Sequence, residues 1–394
     1  MDLTIIPRKL RGTIKAIPSK SQAHRLLICA AFSSAPTTLH CPETNQDIEA
    51  TARCLTALGA KIIRTDSGYE VIPVTQLPSC AEMDCGESGS TLRFILPVVC
   101  ALGVETKIHM SGRLPYRPLS PLWEELERMG CSLSKPTEDM IQTSGKLRNG
   151  TFAIPGNVSS QYISGLLFAL SLLDGSSNIN ITGILESKPY VDMTLRALQL
   201  FGASIENYCV HSSFPLKTPG NVNVEGDWSN AAFFLVAKAL GNVLYVTGLD
   251  QNSPQGDRAI MDLLQIEDSN PTISAADIPD LVPILSVLFA AKNGATFTNI
   301  SRLRLKESDR VKTVIDMLAA LGIHAEATED TLIVYGGHFQ SGTVDAHNDH
   351  RIAMSAAIAA TLANGPVKII GAECVAKSYP AFWKEYKRLG GHYE

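Results

Sequence analysis

Residues 55–62 read Leu-Thr-Ala-Leu-Gly-Ala-Lys-Ile (LTALGAKI), and the pattern returns as LERMGCSL at 126–133, LQLFGASI at 198–205, LAALGIHA at 318–325 and YKRLGGHY at 386–393. In each copy apolar residues three apart predict a helix that runs into a glycine. A left-handed residue just past a helix end stops it, and glycine takes that conformation without a steric penalty. An alternating run follows, which is the signature of a strand. The repeated unit is therefore helix, glycine stop, strand, and the fold class is α/β.

Gly59, Gly130 and Gly202 are about 70 residues apart, as are Gly322 and Gly390, whereas Gly202 to Gly322 spans about 120, too long for one period. The stretch IMDLLQIEDSN at 260–270 starts a helix of the right kind and then breaks into Asp, Ser, Asn and Pro. This spacing predicts six units, with the fifth truncated.

Short polar loops precede the apolar helical runs: PSKSQ at 18–22, GESGST at 86–91, NVSSQ at 157–161, GDWSN at 226–230, KESDR at 306–310 and NDHR at 348–351. Their hydroxyl, carboxylate and amide groups can cap the exposed N–H groups of a helix start, and capping alone accounts for any one loop. Those N–H groups and the helix dipole also attract phosphate. The loops and their surroundings carry Lys20, Arg25, Arg93, Arg117, Lys306, Arg310, Arg351 and Lys377. Each cation taken singly fits a solvated surface; brought together, they would form an anion pocket.

The segment RLRLKESDR at 302–310 reads as a strand of alternating cations leading to Glu307 at a helix start. Asp280, in DIPDL, precedes another helix, where a plain N-cap is an equal reading. A carboxylate held among cations can exchange protons with a bound substrate, so Asp280 and Glu307 are acid–base candidates, with charge pairing as the simpler alternative for Glu307.

The loop GESGST lacks the Lys of a nucleotide-binding P-loop. No His, Cys or carboxylate spacing points to a metal, and none is expected. A formal net charge of -5 and a pI near 6.0 argue against a nucleic-acid or membrane-surface partner. The chain has no long apolar run and nine cysteines set mostly in apolar segments, which predicts reduced thiols and a cytoplasmic location. At 394 residues two domains are expected.

Taken in order, SKSQAHR (19–25), GESGSTLR (86–93), RPL (117–119), VSSQ (158–161), SKPY (187–190), IPD (278–280), RLKESDR (304–310) and NDHR (348–351) resemble the 5-enolpyruvylshikimate-3-phosphate synthase family through nearly the whole chain. The resemblance implies the enolpyruvyl transferase fold, a two-domain inside-out α/β barrel with helices within and sheets outside. Its N-terminal domain, 19–224, would mainly bind shikimate 3-phosphate. Its C-terminal domain, 1–18 with 225–394, would mainly bind phosphoenolpyruvate and supply the acid–base residues. The implied reaction moves the carboxyvinyl group of phosphoenolpyruvate to the 5-hydroxyl of shikimate 3-phosphate and releases phosphate, with no cofactor, in a monomer.

By matching position, the resemblance assigns Lys20, Ser21, Arg25, Ser159, Ser160, Gln161, Ser187, Tyr190, Asp280 and Lys306 to shikimate 3-phosphate. It assigns Lys20, Gly89, Arg117, Gln161, Arg310, Arg351 and Lys377 to phosphoenolpyruvate. Asp280, Glu307 and Lys20 would be catalytic. Burying several like charges is costly, so the two halves are expected to separate without substrate and to close when the anions bridge them. In this family glyphosate competes with phosphoenolpyruvate, using the room left by the glycine that is Gly89 here.

Two positions depart from the family pattern: Glu87 and Arg302 stand where Asn is common. The sister transferase acting on UDP-N-acetylglucosamine carries a Cys in its mobile loop, whereas residues 111–117 here read SGRLPYR. A relative that cyclises RNA ends and a non-catalytic phosphate-binding module are the other readings, since fold alone does not fix function.

Overall fold

The glycines that end the sequence repeats all adopt positive φ, from +78° at Gly202 to +111° at Gly130. In the computed structural model, which describes all 394 residues, each lies just past a helix: Gln46–Ala57, Leu122–Arg128, Lys188–Leu200, Arg310–Ala320 and Phe382–Arg388. At Gly59 a side chain would also be blocked, because a Cβ there would lie 2.8 Å from the Gln76 carbonyl oxygen. The strands that follow are Lys61–Thr65, Cys131–Thr137, Ser204–Glu206, Ala325–Ala327 and His392–Tyr393.

The chain divides into two compact units, Pro18–Glu225 and Met1–Ile17 with Gly226–Glu394. Pro18–Glu225 contains three four-stranded sheets of one design. In the second, Cys80–Asp84 runs parallel to Glu105–His109, which pairs antiparallel with Met140–Gly145, and Cys131–Thr137 forms the edge. The third repeats this order with Thr151–Pro155, Ser176–Thr182, Cys209–His211 and Ser204–Glu206. The first takes its outer strand, Asn221–Asn223, from the far end of the unit and sets it parallel to Thr37–His40. Helices Lys20–Ala31, Gly89–Leu102 and Ser160–Ser171 are buried along most of their length, while the strands bury alternate residues. Helices thus fill the core and sheets cover it.

The other unit has two such sheets. One joins Thr272–Ser274, Gly294–Thr298, Thr331–Tyr335 and Ala325–Ala327; the other joins Gly342–Asp345, Val367–Ile370, Leu3–Ile6 and His392–Tyr393. Its core helices are Trp228–Ala239, Val282–Ala290 and His350–Ala359. The remaining sheet has only Arg11–Lys15 and Val243–Thr247.

Two expectations are corrected here. The truncated unit is the fourth along the chain, not the fifth: it follows the three full sheets of Pro18–Glu225, and after helix Ile260–Leu263 the chain passes to Thr272–Ser274 without an antiparallel pair. The cation-rich run expected as a strand is a 3-10 helix, Ser301–Leu305. Asn299, just before it, is in the left-handed region at φ 57°. Leu303 is then buried and Leu305 exposed, whereas a strand would set both leucines on one face; two leucines in sequence are too short a run to separate the periods.

Candidate active site

In Pro18–Glu225 the polar loops cap the three buried helices. Ser19 accepts from Gln22 N, Ser88 from Thr91 N and Ser159 from Gln161 N. Lys20 is the first residue of its helix, and its Nζ lies 3.0 Å from Asp47 Oδ2. One turn on, Arg25 is buried with its guanidinium 5.0 Å from the Phe94 ring centre. Its Nε donates to Thr194 Oγ1 at 2.8 Å, NH1 to the Ser21 carbonyl at 2.6 Å and NH2 to the Tyr190 carbonyl at 2.8 Å. Burial pulls the Arg25 pKa down to about 10, so the group stays cationic at neutral pH. Those bonds join the first and third repeats around one cation. Ser187 precedes Tyr190 in the left-handed region at φ 53° and is buried.

Arg93 NH1 donates to Gln161 Oε1 at 3.2 Å, and Gln161 Nε2 donates to Ser90 Oγ at 3.0 Å. Gln161 is thereby held by the second repeat while sitting on the third, beside Ser159 and the largely buried Ser160. A Cβ on Gly89 would fall 2.6 Å from Arg93 NH1 and 2.7 Å from Arg117 NH1, so both guanidinium groups close over this glycine. Glu87 turns its carboxyl onto Gly112 in the neighbouring loop.

The unit formed by Met1–Ile17 and Gly226–Glu394 gathers Asp280, Lys306, Glu307, Arg310, Arg351 and Lys377. Arg310 is buried and meets three carboxylates: its Nε reaches Asp349 Oδ2 at 2.8 Å, NH1 reaches Asp280 Oδ1 at 2.6 Å and NH2 reaches Glu307 Oε2 at 2.6 Å. Arg351 NH2 donates to Asp280 Oδ2 at 2.9 Å, Lys306 Nζ stands 3.8 Å from Asp280 Oδ1, and Lys377 Nζ donates to the Asn348 carbonyl at 2.9 Å.

Asp280 is not an N-cap. The cap position before Val282–Ala290 is Leu281, which makes no side-chain cap, and the Asp280 carboxylate instead accepts from Arg310 and Arg351. Burial works to raise its pKa, but Arg351, Lys306 and Arg310 outweigh burial and hold the pKa well below the ordinary value. Burial lowers Lys306 to about 8 against the pull of Asp280. Burial also works to lower Arg310, and its carboxylates reverse this and hold it well above the ordinary value. Arg302 NH2 donates to the Ala276 carbonyl at 2.8 Å.

The model of the EPSP synthase (3-phosphoshikimate 1-carboxyvinyltransferase) family matches residues 5–386. The chain belongs to the EPSP synthase family. It is 40% identical over 414 aligned residues to the 3-phosphoshikimate 1-carboxyvinyltransferase of Clostridium acetobutylicum, covering 98% of this chain and 97% of that protein. It is 39% identical to the Clostridium kluyveri protein of the same name, with 99% and 97% covered. The fold matches the solved EPSP synthase of Acinetobacter baumannii with a TM-score of 0.80 at 24% identity, covering 100% of this chain and 99% of that one. It also matches the enolpyruvyl transferase NikO of Streptomyces tendae, with a TM-score of 0.76 at 18% identity and 100% and 98% coverage.

For an EPSP synthase family member, the motif reading missed the groups that hold the cations in place. Asp47 pairs with Lys20, Thr194 orients Arg25, and Asp349 both caps its helix and anchors Arg310. Asp349 was detectable only as a cap within NDHR. Asp47 and Thr194 carry no local signal, because their partners are 27 and 169 residues away in sequence.

Proposed function

We propose that this chain transfers the carboxyvinyl group of phosphoenolpyruvate to the 5-hydroxyl of shikimate 3-phosphate and releases phosphate, on the route to aromatic amino acids. Family membership supports the reading, and the observation that carries it is the commitment of Asp280 to Arg310 and Arg351 instead of to a helix cap.

Paired in this way, Asp280 is a weak base. The carboxylate and phosphate of phosphoenolpyruvate compete for the same guanidinium forks, and drawing them off raises the basicity of Asp280 as the 5-hydroxyl must give up its proton. Glu307 and Lys20 serve the methylene carbon, which gains a proton when the tetrahedral ketal forms and loses it when phosphate leaves. Ser21, Arg25, Ser159, Ser160, Gln161, Ser187, Tyr190 and Lys306 hold shikimate 3-phosphate, with Tyr190 along the ring. Lys20, Arg117, Gln161, Arg310, Arg351 and Lys377 hold phosphoenolpyruvate, and Gly89 leaves it room. On this reading Pro18–Glu225 mainly binds shikimate 3-phosphate, and Met1–Ile17 with Gly226–Glu394 mainly binds phosphoenolpyruvate and supplies Asp280 and Glu307.

The enzyme acts in the cytoplasm as a monomer, since one chain supplies every assigned group. No helix is long and apolar enough to cross a membrane, and all nine cysteines are unpaired thiols. A coupled phosphate-release assay tests the reaction. Phosphate should appear from phosphoenolpyruvate with shikimate 3-phosphate and not with UDP-N-acetylglucosamine. Release with the nucleotide sugar alone, or with neither acceptor, would overturn the assignment.

A further inference from the structure

A buried hydroxyl on a helix can give its proton to the carbonyl one turn earlier, as Ser171 does to Leu167 and Ser286 to Val282. Thr51 and Thr91, both fully buried, bond across helices instead. Thr51 Oγ1, on helix Gln46–Ala57, lies 2.7 Å from His24 Nδ1 on Lys20–Ala31 and 2.7 Å from Thr91 Oγ1 on Gly89–Leu102. Thr91 Oγ1 donates in turn to Ser88 Oγ at 2.7 Å, with the Asp47 carbonyl as a second acceptor at 3.4 Å. Four buried side chains thus form one hydrogen-bonded line across three helices.

A hydroxyl has a single proton, and this fixes the direction of the line. Thr91 gives its proton to Ser88, so Thr51 gives its own to Thr91 and accepts from the ring. His24 therefore carries its proton on Nδ1. Its Nε2 is buried with no partner, and a proton there would strand an N–H, the costlier arrangement. Burial, then the neighbouring Lys20 and Arg25, lowers the ring's pKa well below the ordinary value and keeps it neutral.

The line ends where the site begins. Ser88 caps Gly89–Leu102, Arg93 and Arg117 close over Gly89, and Ser90 accepts from Gln161. At the far end His24 lies one turn from Lys20 and beside Arg25. Asp47, whose carboxylate holds Lys20, is the residue whose carbonyl faces Thr91.

We propose that His24, Thr51 and Thr91 are positioning residues: they lock the first turn of Gly89–Leu102 to the helix carrying Lys20 and Arg25, and so set Gly89 and the Arg117 and Gln161 groups packed on that turn. The consequence for phosphoenolpyruvate rests on the reaction proposed above.

The test is Thr51→Val, which keeps the shape and removes the hydroxyl, beside Thr51→Ser, which restores it. Thr51→Val should raise the KM for phosphoenolpyruvate about fivefold, the size expected of one hydrogen bond, while the KM for shikimate 3-phosphate stays within about twofold. Thr51→Ser should behave as wild type. Ser171→Ala, which removes a buried hydroxyl bonded to its own helix, should lower the melting temperature and leave both KM values unchanged. Amide NMR without substrate gives a readout independent of turnover: the Gly89 and Ser90 signals should move in Thr51→Val and stay in Thr51→Ser. His24→Leu and His24→Asn repeat that comparison at the far end of the line, the Asn amide standing in for Nδ1–H. An unchanged KM for phosphoenolpyruvate in Thr51→Val, an equal rise in Ser171→Ala, or unmoved Gly89 and Ser90 signals would overturn the proposal. If wild type releases no phosphate from the substrate pair, the reaction assignment falls, while the amide signals still decide whether this line positions the turn.

Discussion

Asp280 accepts a 2.6 Å hydrogen bond from Arg310, a guanidinium only 1% exposed. The pair belongs to a cluster in which Asp349 and Glu307 take the other faces of the same fork. Its geometry is specific because a planar guanidinium has fixed donor directions, and three carboxylates occupy three of them.

Removing Arg310 should therefore cost stability as well as activity. Arg310→Met leaves buried Asp349 without its counter-charge, and breaking a buried pair from one side costs about 3–5 kcal/mol. Urea unfolding should show that loss with an unchanged m-value. Arg310→Lys should recover part of it while phosphoenolpyruvate binding stays weak, because an ammonium cannot bridge three carboxylates. A Met variant as stable as wild type would mean the cluster is not structural.

Glu307→Gln separates binding from chemistry. The amide oxygen can still accept from Arg310 NH2, so the cluster survives and shikimate 3-phosphate affinity should stay within about tenfold. Turnover should fall by about 100-fold or more, as expected for a proton-transfer group. Near-normal turnover would remove Glu307 from the mechanism.

Lys306 sets an alkaline limit. Its ammonium is charged below about 8 and lost above, because burial lowers its pKa. Accordingly, kcat/KM for shikimate 3-phosphate should fall above pH 8, by about tenfold per unit, and Lys306→Arg should flatten the decline. Stability moves the other way. The unfolded lysine keeps its proton to about pH 10.4, so between 8 and that value the unfolded chain binds more protons and the fold gains stability with pH. A wild-type profile flat from pH 6.5 to 9.5 would refute the role.

Local rules carried the sequence reading a long way. The glycine stops at Gly59 and Gly130 follow from backbone sterics, and the caps at Ser19, Ser88, Asp227 and Asp349 follow from the donors a helix start exposes. Lys306, Arg310 and Arg351, which the structure gathers around Asp280, were legible because their loops recur. What escaped depends on partners distant in sequence. Asp280 looks like a cap until Arg351 is seen to take it. Residues 302–306 failed for a different reason: two leucines cannot distinguish a 3-10 turn from a strand.

Gly89 supplies the sharpest test of the phosphoenolpyruvate assignment. Its backbone lies outside the left-handed region, so alanine is conformationally acceptable there and any effect is steric. A Cβ would sit inside contact distance of Arg93 NH1 and Arg117 NH1, and both are ends of flexible side chains that can yield. Displacing Arg93 loosens Gln161, and displacing Arg117 withdraws a cation assigned to phosphoenolpyruvate. Gly89→Ala should therefore raise the KM for phosphoenolpyruvate modestly. Glyphosate is longer and needs the space itself, so it should lose more, with half-inhibition shifting upward by about tenfold or more beyond the change in KM. Glu87 does not cancel this, because its carboxyl packs onto Gly112. Titrating both proteins with glyphosate at matched saturation by phosphoenolpyruvate decides the matter: equal sensitivity would show that neither the methyl group nor the two displaced guanidinium groups border the inhibitor.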